Sequence, residues 1–253
     1  MQDFRLVGAL ITPQQRFIRG LEAVAFVSDE QKNAIEAGLT GNLREYQAGE
    51  AIASQGDQPD SCAILIEGLI CRCHYLNDGS RQILSFHIPG DTPDVQSLYL
   101  RTMDHAIESL DRVTVLHVDH RTMFKLLEHT PSLSPLFWRQ TLIDASIFRM
   151  WITNVGHRQA ASRIAHLLCE TMSRLQAVGL SDGKTCKLSL TQADIGDASG
   201  ITAVHVNRCL QQLRADRLIE LRAGSLTVLD WDGLIQVADF DPAYLHMRAP
   251  AQH

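Results

Sequence analysis

Within residues 190–220, LTQADIGDASGITAVHVNRCLQQLRADRLIE, the side chains Val204, Asn207, Arg208 and Gln211 recur at i, i+3, i+4 and i+7, one face of a helix. That face has the chemistry to read base edges in a major groove. An arginine donates a bidentate pair to guanine O6 and N7, an asparagine pairs with adenine or phosphate, and a valine offers only apolar contact, for instance with a thymine methyl. His205 lies beside them. Thr191, Gln192 and Thr202 fall at helix starts, where hydroxyls and backbone N–H groups suit phosphate oxygens.

Local signals position this face. Thr191 with Asp194 three residues on is a capping box of the Asp type. Ile195 points inward, Gly196 leaves room for a second helix, and Gly200 supplies the positive φ of a tight turn. Thr202 caps the second helix, whose buried stripe is Val206, Cys209 or Leu210, and Leu213. RLIELRAGSLTVLD then reads as two short strands around Ala223-Gly224-Ser225, a wing with Arg222 near its tip. An ordinary helical hairpin could carry the same pattern, so the rest of the chain decides.

The 253 residues are enough for two domains. The start has no basic segment followed by a long apolar run, and no apolar stretch approaches the roughly 20 residues that span a bilayer. The expectation is a cytoplasmic chain without a membrane partner. The formal charge of −6 looks wrong for a nucleic-acid binder until it is divided. Residues 157–229 hold nine Lys/Arg against six Asp/Glu, a net of +3, and the remainder is net −9. A weakly positive C-terminal module sits on an acidic body, and the module's local field is what phosphate meets.

Turn signals at Ala48-Gly49, Gln55-Gly56-Asp57, Glu67-Gly68, Asn77-Asp78-Gly79 and Pro89-Gly90-Asp91 punctuate short strands over residues 43–118, as in a β-barrel or sandwich. ILIEGLICRCHYLNDGSRQILSFHI holds two runs around its Asn-Asp-Gly turn, a hairpin. Helices flank this region near 13–23 and 29–40. After Pro131 and Pro135, Leu136, Gln140, Ile143, Ile147, Met150 and Asn154 alternate at four and three, an a/d-type seam. It reads as a seam pairing two chains, with polar Gln140 and Asn154 tolerable across a symmetric axis; packing against its own barrel is the alternative. Gly156 ends that helix, and an amphipathic helix with Ile164, Leu167, Leu168, Met172 and Leu175 follows, then loop-like SDGKT.

The expected class is α+β: a jelly-roll-like β-roll with flanking helices over 1–130, a dimerisation helix over 131–155, a winged helix-turn-helix over 156–240 and a tail over 241–253. With these parts in order the chain resembles the CRP/FNR family of bacterial transcription regulators. YQAGEAIASQGD, ILIEGLICR and HIPGD are similar to the strands of its cyclic-nucleotide-binding-type roll, and TQADIGDASGITAVHVNRCLQQLRADRLIE to its helix-turn-helix. The resemblance implies a homodimer, an effector pocket between roll and long helix, a palindromic operator of double-stranded DNA, and RNA polymerase as a further partner.

Two departures bear on ligand and operator. Cyclic-AMP-binding members carry an Arg-Ser pair after the Gly-Glu of the phosphate-binding stretch. Here Gly90-Asp91 is followed at the comparable place by Asp104-His105, and an acidic residue there repels a phosphodiester, with Arg101 near enough to compensate in principle. These five residues are the candidate effector pocket. Position 204 is Val where well-known members have Glu, so the operator should differ at that base pair.

No cofactor is expected, and an unknown small-molecule effector stays open. The six cysteines are scattered and none lies in the first 60 residues, against an iron–sulfur cluster. Cys71-x-Cys73 is the one cluster, but no second pair completes a zinc set. No histidine stands out as a haem or metal ligand; His117-x-Asp119-His120 straddles a strand-to-helix junction. An enzyme is not expected, because a cupin-like metal catalyst would need an HxH pair, and His74, His87, His105 and His117 are widely separated. A cyclic-nucleotide-gated regulator is the other alternative.

Overall fold

The computed structural model describes residues 11–248. Two helices, α1 (Pro13–Val24) and α2 (Asp29–Gly38), open the chain. Each starts with a complete capping box, Thr12 with Gln15 and Ser28 with Gln31. Seven strands follow: β1 (Asn42–Tyr46), β2 (Ala51–Ala53), β3 (Ser61–Glu67), β4 (Ile70–Tyr75), β5 (Arg81–His87), β6 (Ala106–Ser109) and β7 (Val113–Asp119). They form two antiparallel sheets, β1-β7-β3 and β2-β6-β4-β5. The Asn-Asp-Gly turn joins β4 to β5 as expected, with Gly79 at φ 83°.

Period-two alternation divides the second sheet between two cores. Ile70 and Ile107 face the interior of the roll with Leu65, Val113 and Val115. Cys71, Cys73, Ile83, Phe86 and Ala106 face outward into a core that continues into the C-terminal half. Helix α1 closes on the Pro89-Gly90-Asp91 turn, where a Cβ at Gly20 would sit 2.5 Å from the Gly90 carbonyl oxygen. Glycine is required at that crossing.

After α3 (His120–His129), the helix α4 (Ser134–His157) runs 24 residues and takes in Gly156 near its end. Here the expected seam is corrected. Leu136, Ile143, Ile147 and Asn154 are buried against their own chain, Gln140 and Met150 half-buried. The reason is packing: Phe86 of β5 meets Trp151 at 5.5 Å, edge to face, and Arg72 of β4 pairs with Asp144 at 2.5 Å. That turns Leu136, Ile143 and Ile147 toward the roll. Asn154 donates to the Arg163 carbonyl, and Arg158 donates to the Met150 sulfur. The unpartnered stripe lies elsewhere on α4, at Trp138, Leu142 and Ile152, exposed by 69, 55 and 73%.

The C-terminal half is built on α5 (Ala160–Ala177), whose face of Ile164, Leu167, Leu168, Met172 and Leu175 is buried. Around it stand α6 (Gln192–Ser199), α7 (Ala203–Ala215) and α8 (Trp231–Ala238). A three-stranded sheet completes it in the order β8-β10-β9, from β8 (Thr185–Lys187), β9 (Ile219–Arg222) and β10 (Ser225–Val228). Strand β8 occupies part of the segment read as loop. Residues 241–248, read as tail, are part of the fold: Pro242–Leu245 form a 3-10 helix and Tyr244 donates to the buried Glu170 carboxylate at 2.5 Å. Glu170 also accepts from Trp151, and burial raises its pKa. No described helix is long and apolar enough to cross a membrane.

Candidate nucleic-acid interface

The helix-turn-helix forms from the signals read in sequence. Thr191 accepts from the Asp194 amide and Asp194 accepts from the Thr191 amide, closing the capping box of α6. Gly200 ends α6 at φ 65°, and a Cβ at Gly196 would lie 2.6 Å from the Ile201 carbonyl, so the second helix approaches only because Gly196 has none. Thr202 caps α7 by accepting from the His205 amide at 3.3 Å. Val206, Cys209, Leu210 and Leu213 form the inward stripe.

The outward face carries the expected set. Val204, His205, Arg208 and Gln211 are exposed and Asn207 is half-buried. Val204, at 64% exposure, is an apolar group that the protein itself leaves wet. No hydrogen bond or ion pair of Arg208 occurs among the described residues, so its five donors are free for a partner. Thr191, Gln192 and Thr202 are exposed at the two helix starts. Arg222 is exposed at the wing turn, with Glu220 accepting from it at 2.7 Å.

Sequence reasoning missed the device that holds this unit in place. Arg81, first residue of β5, donates to Asp194 at 2.6 Å and Asp197 at 2.8 Å on α6, and to Glu108 of β6 at 3.2 Å. Gln82 adds a bond to the Asp197 carbonyl at 2.7 Å. One carboxylate, Asp194, thus caps α6 and ties it to the roll. Burial opposes the charge on Arg81, but the three carboxylates outweigh it and raise its pKa. A second tie joins Arg174 of α5 to Asp91 at 2.6 Å and to the Phe86 carbonyl. Burial of Asp91 disfavours its charge, yet Arg174 and His87 hold its pKa at about 2.

Arg81→Ala leaves three carboxylates facing one another with no cation. The expected outcome is a loss of roughly 2 kcal/mol of stability, discounted for partial exposure. Urea unfolding should show the lower midpoint, and proteolysis between residues 178 and 190 should quicken. Unchanged unfolding would remove the tie from the account.

The five candidate effector residues do not converge. Gly90 packs on Gly20, and Asp91 is committed to Arg174. Arg101 is exposed. Asp104 is also exposed and pairs with His105 at 2.7 Å. His105 is buried, and burial followed by the Arg72 charge lowers its pKa. Arg72 itself lies on the inner face of β4, 3% exposed, donating from Nε to the Pro93 carbonyl and from Nη1 to Asp144, with its guanidinium 5.4 Å from the Phe148 ring. It bridges roll and long helix. Beside it, a cleft of about 90 Å³ is lined by Asp91, Thr92, Gln140, Asp144, Arg174 and Leu245. Pockets for drug-sized ligands run to several hundred cubic ångströms.

Comparison with known proteins agrees with this architecture. Residues 43–130 match the cyclic nucleotide-binding domain, and residues 162–237 match the Crp-like helix-turn-helix domain. The transcriptional activator protein FnrL of Cereibacter sphaeroides is 25% identical over 202 residues, 78% of this chain and 81% of that one. The nitrogen fixation regulation protein FixK of Bradyrhizobium diazoefficiens is 27% identical over 75% of this chain and 79% of its own. The structure of FixK2 from Bradyrhizobium japonicum superposes with a TM-score of 0.71 at 22% identity, covering 79% of this chain and 98% of that one. With the roll, the long helix and the winged helix-turn-helix in the same order, the chain belongs to the CRP/FNR family of transcription regulators.

Proposed function

We propose that the protein is a homodimer, paired along the Trp138, Leu142 and Ile152 stripe of α4, that sets two α7 helices into successive major grooves of a palindromic operator. The observation that carries this reading is the pair of unpartnered faces, one apolar on α4 and one mixed on α7. Stripe residues spaced by four and by ten follow the a/d rhythm of a helix pairing with its twofold mate. Two copies of α7 about one helical turn apart define inverted half-sites.

In each half-site Arg208 reads guanine, Asn207 and Gln211 take adenine or phosphate, Val204 meets a thymine methyl, and His205 borders them. Thr191, Gln192, Thr202 and Arg222 hold phosphates and fix the register. Activation is the regulatory mode in this reading, with RNA polymerase as the further partner; the FnrL relative is named a transcriptional activator. Binding to mixed-sequence duplex DNA tests the reading. At low salt the chain binds despite its net charge of −6, and affinity falls steeply as salt rises. No retention at low salt would overturn it.

The same reading assigns no cyclic nucleotide to the roll. Arg72 spans the space between Pro93 and Asp144, and Asp104, exposed and paired with His105, offers a phosphodiester no cation. Cyclic AMP and cyclic GMP at millimolar concentration should leave the melting temperature unchanged. A specific ligand far above its dissociation constant adds a few kcal/mol and raises it. A clear rise with either nucleotide would restore the nucleotide-gated alternative.

A further inference from the structure

We propose that Cys71, Cys73 and Glu108 form a binding site for a soft divalent cation of the zinc class, on the face of the roll that meets the helix-turn-helix. In the β4–β6 register Cys71 lies opposite Glu108 and Cys73 opposite Ala106. Directly opposed residues share a face, and so do residues two apart on one strand, which gathers two thiols and a carboxylate. Their ligand atoms lie within 4.8 Å of one another, and all three residues are buried. Zinc–sulfur and zinc–oxygen bonds of about 2.3 and 2.0 Å need donor separations of roughly 3.5–3.8 Å, which rotamer adjustment supplies.

Charge points the same way. Glu108, Asp194 and Asp197 all face the single guanidinium of Arg81, an excess of two negative charges around a partly buried arginine. Tyr75 donates to Glu108 at 2.7 Å, as an outer-shell partner that orients a ligating carboxylate. A disulfide is the poorer use of these thiols, because β-carbons two residues apart on an extended strand exceed the roughly 4.5 Å that an S–S bridge spans. Three protein ligands leave the fourth position of a tetrahedron open to exchange.

A cysteine ligates as the thiolate, so cation binding releases protons. Tyr75 and Arg81 from the hairpin both bond to Glu108, and Arg81 reaches on to Asp194 and Asp197 of α6. Glu108 is shared: a cation that takes it weakens its bond to Arg81 and so loosens the tie to α6. That consequence rests on α6–α7 as the DNA-reading unit; the binding itself does not.

The test uses reduced full-length protein titrated with cobalt(II) and then zinc(II). The expected result is one equivalent per chain, a near-ultraviolet thiolate-to-cobalt charge-transfer band, displacement by zinc, and loss of the band in Cys71→Ala/Cys73→Ala. Glu108→Gln, which keeps the shape and the Tyr75 contact, should weaken binding by about tenfold or more. A wild-type protein without the band, or a double variant that keeps it through Cys62, Cys169, Cys186 or Cys209, would overturn the site. Zinc should also change duplex affinity in the wild type and much less in Glu108→Gln. Equal affinity with and without zinc, at full occupancy, would overturn the coupling and leave the DNA reading untouched.

Discussion

Ile152→Glu yields single chains that still fold. Ile152 is 73% exposed, so its replacement removes little from the chain's own core. Across a twofold axis the change is made on both partners. Burial of an isoleucine contributes roughly 1.5–3 kcal/mol per side chain, and two carboxylates brought together in its place repel. The expected weakening of self-association is therefore at least 3 kcal/mol, more than about a hundredfold in dissociation constant. Sedimentation velocity reads it directly, with circular dichroism as the check on folding. Ile147→Glu on the opposite side makes the contrast, because Ile147 is buried and its loss should unfold the chain before it affects pairing. An Ile152→Glu protein that sediments as the wild type would place the interface elsewhere.

Arg208→Ala has the next largest effect, and it is confined to DNA. Arg208 is exposed on α7 and, among the described residues, makes no hydrogen bond or ion pair to another part of the protein, so stability and self-association stay at wild-type values. Removing an arginine–guanine pairing costs roughly 1–3 kcal/mol, and the substitution removes one from each protomer, so operator affinity falls by about thirtyfold or more. Binding to unrelated duplex falls far less, which narrows the ratio of specific to non-specific affinity. Val204→Glu should instead shift preference toward cytosine at one base pair, since a carboxylate accepts from cytosine N4 and a valine cannot. Arg208→Ala binding its operator at full strength would displace the reading face from α7.

What could be seen in the sequence was what neighbours in the chain decide. The Thr191–Asp194 box, the φ of Gly200, the close approach at Gly196 and the Thr202 cap are set within a few residues, and each stands where it was expected. The Asn-Asp-Gly hairpin is of the same kind. The face of α4 was a different matter. That helix carries a four-and-three rhythm in two phases, one through Leu136, Ile143, Ile147 and Asn154 and one through Trp138, Leu142 and Ile152. Only the roll's Phe86 and Arg72, packed on Trp151 and Asp144, select which phase is spent inside the chain.

Long-range pairs were invisible for the same reason. Arg81 and Asp194 are 113 residues apart, and nothing in the hairpin's alternation marks Arg81 as the anchor of α6. The Cys71-x-Cys73 pair could be read as sharing a face, but Glu108 joins it only through the β4–β6 register. Asp91, placed in an effector pocket on its position after Gly90, is drawn to α5 by Arg174, a residue whose helix was read only as amphipathic.

The central claim is that two copies of α7 read a palindrome. Selection of random-sequence duplexes by the purified full-length protein, with and without an extract of small molecules, tests it most directly. The expected result is recovery of an inverted repeat whose half-site centres lie about one helical turn apart, without need of the extract. Recovery of a single unrepeated site, or of no sequence in either condition, would contradict it.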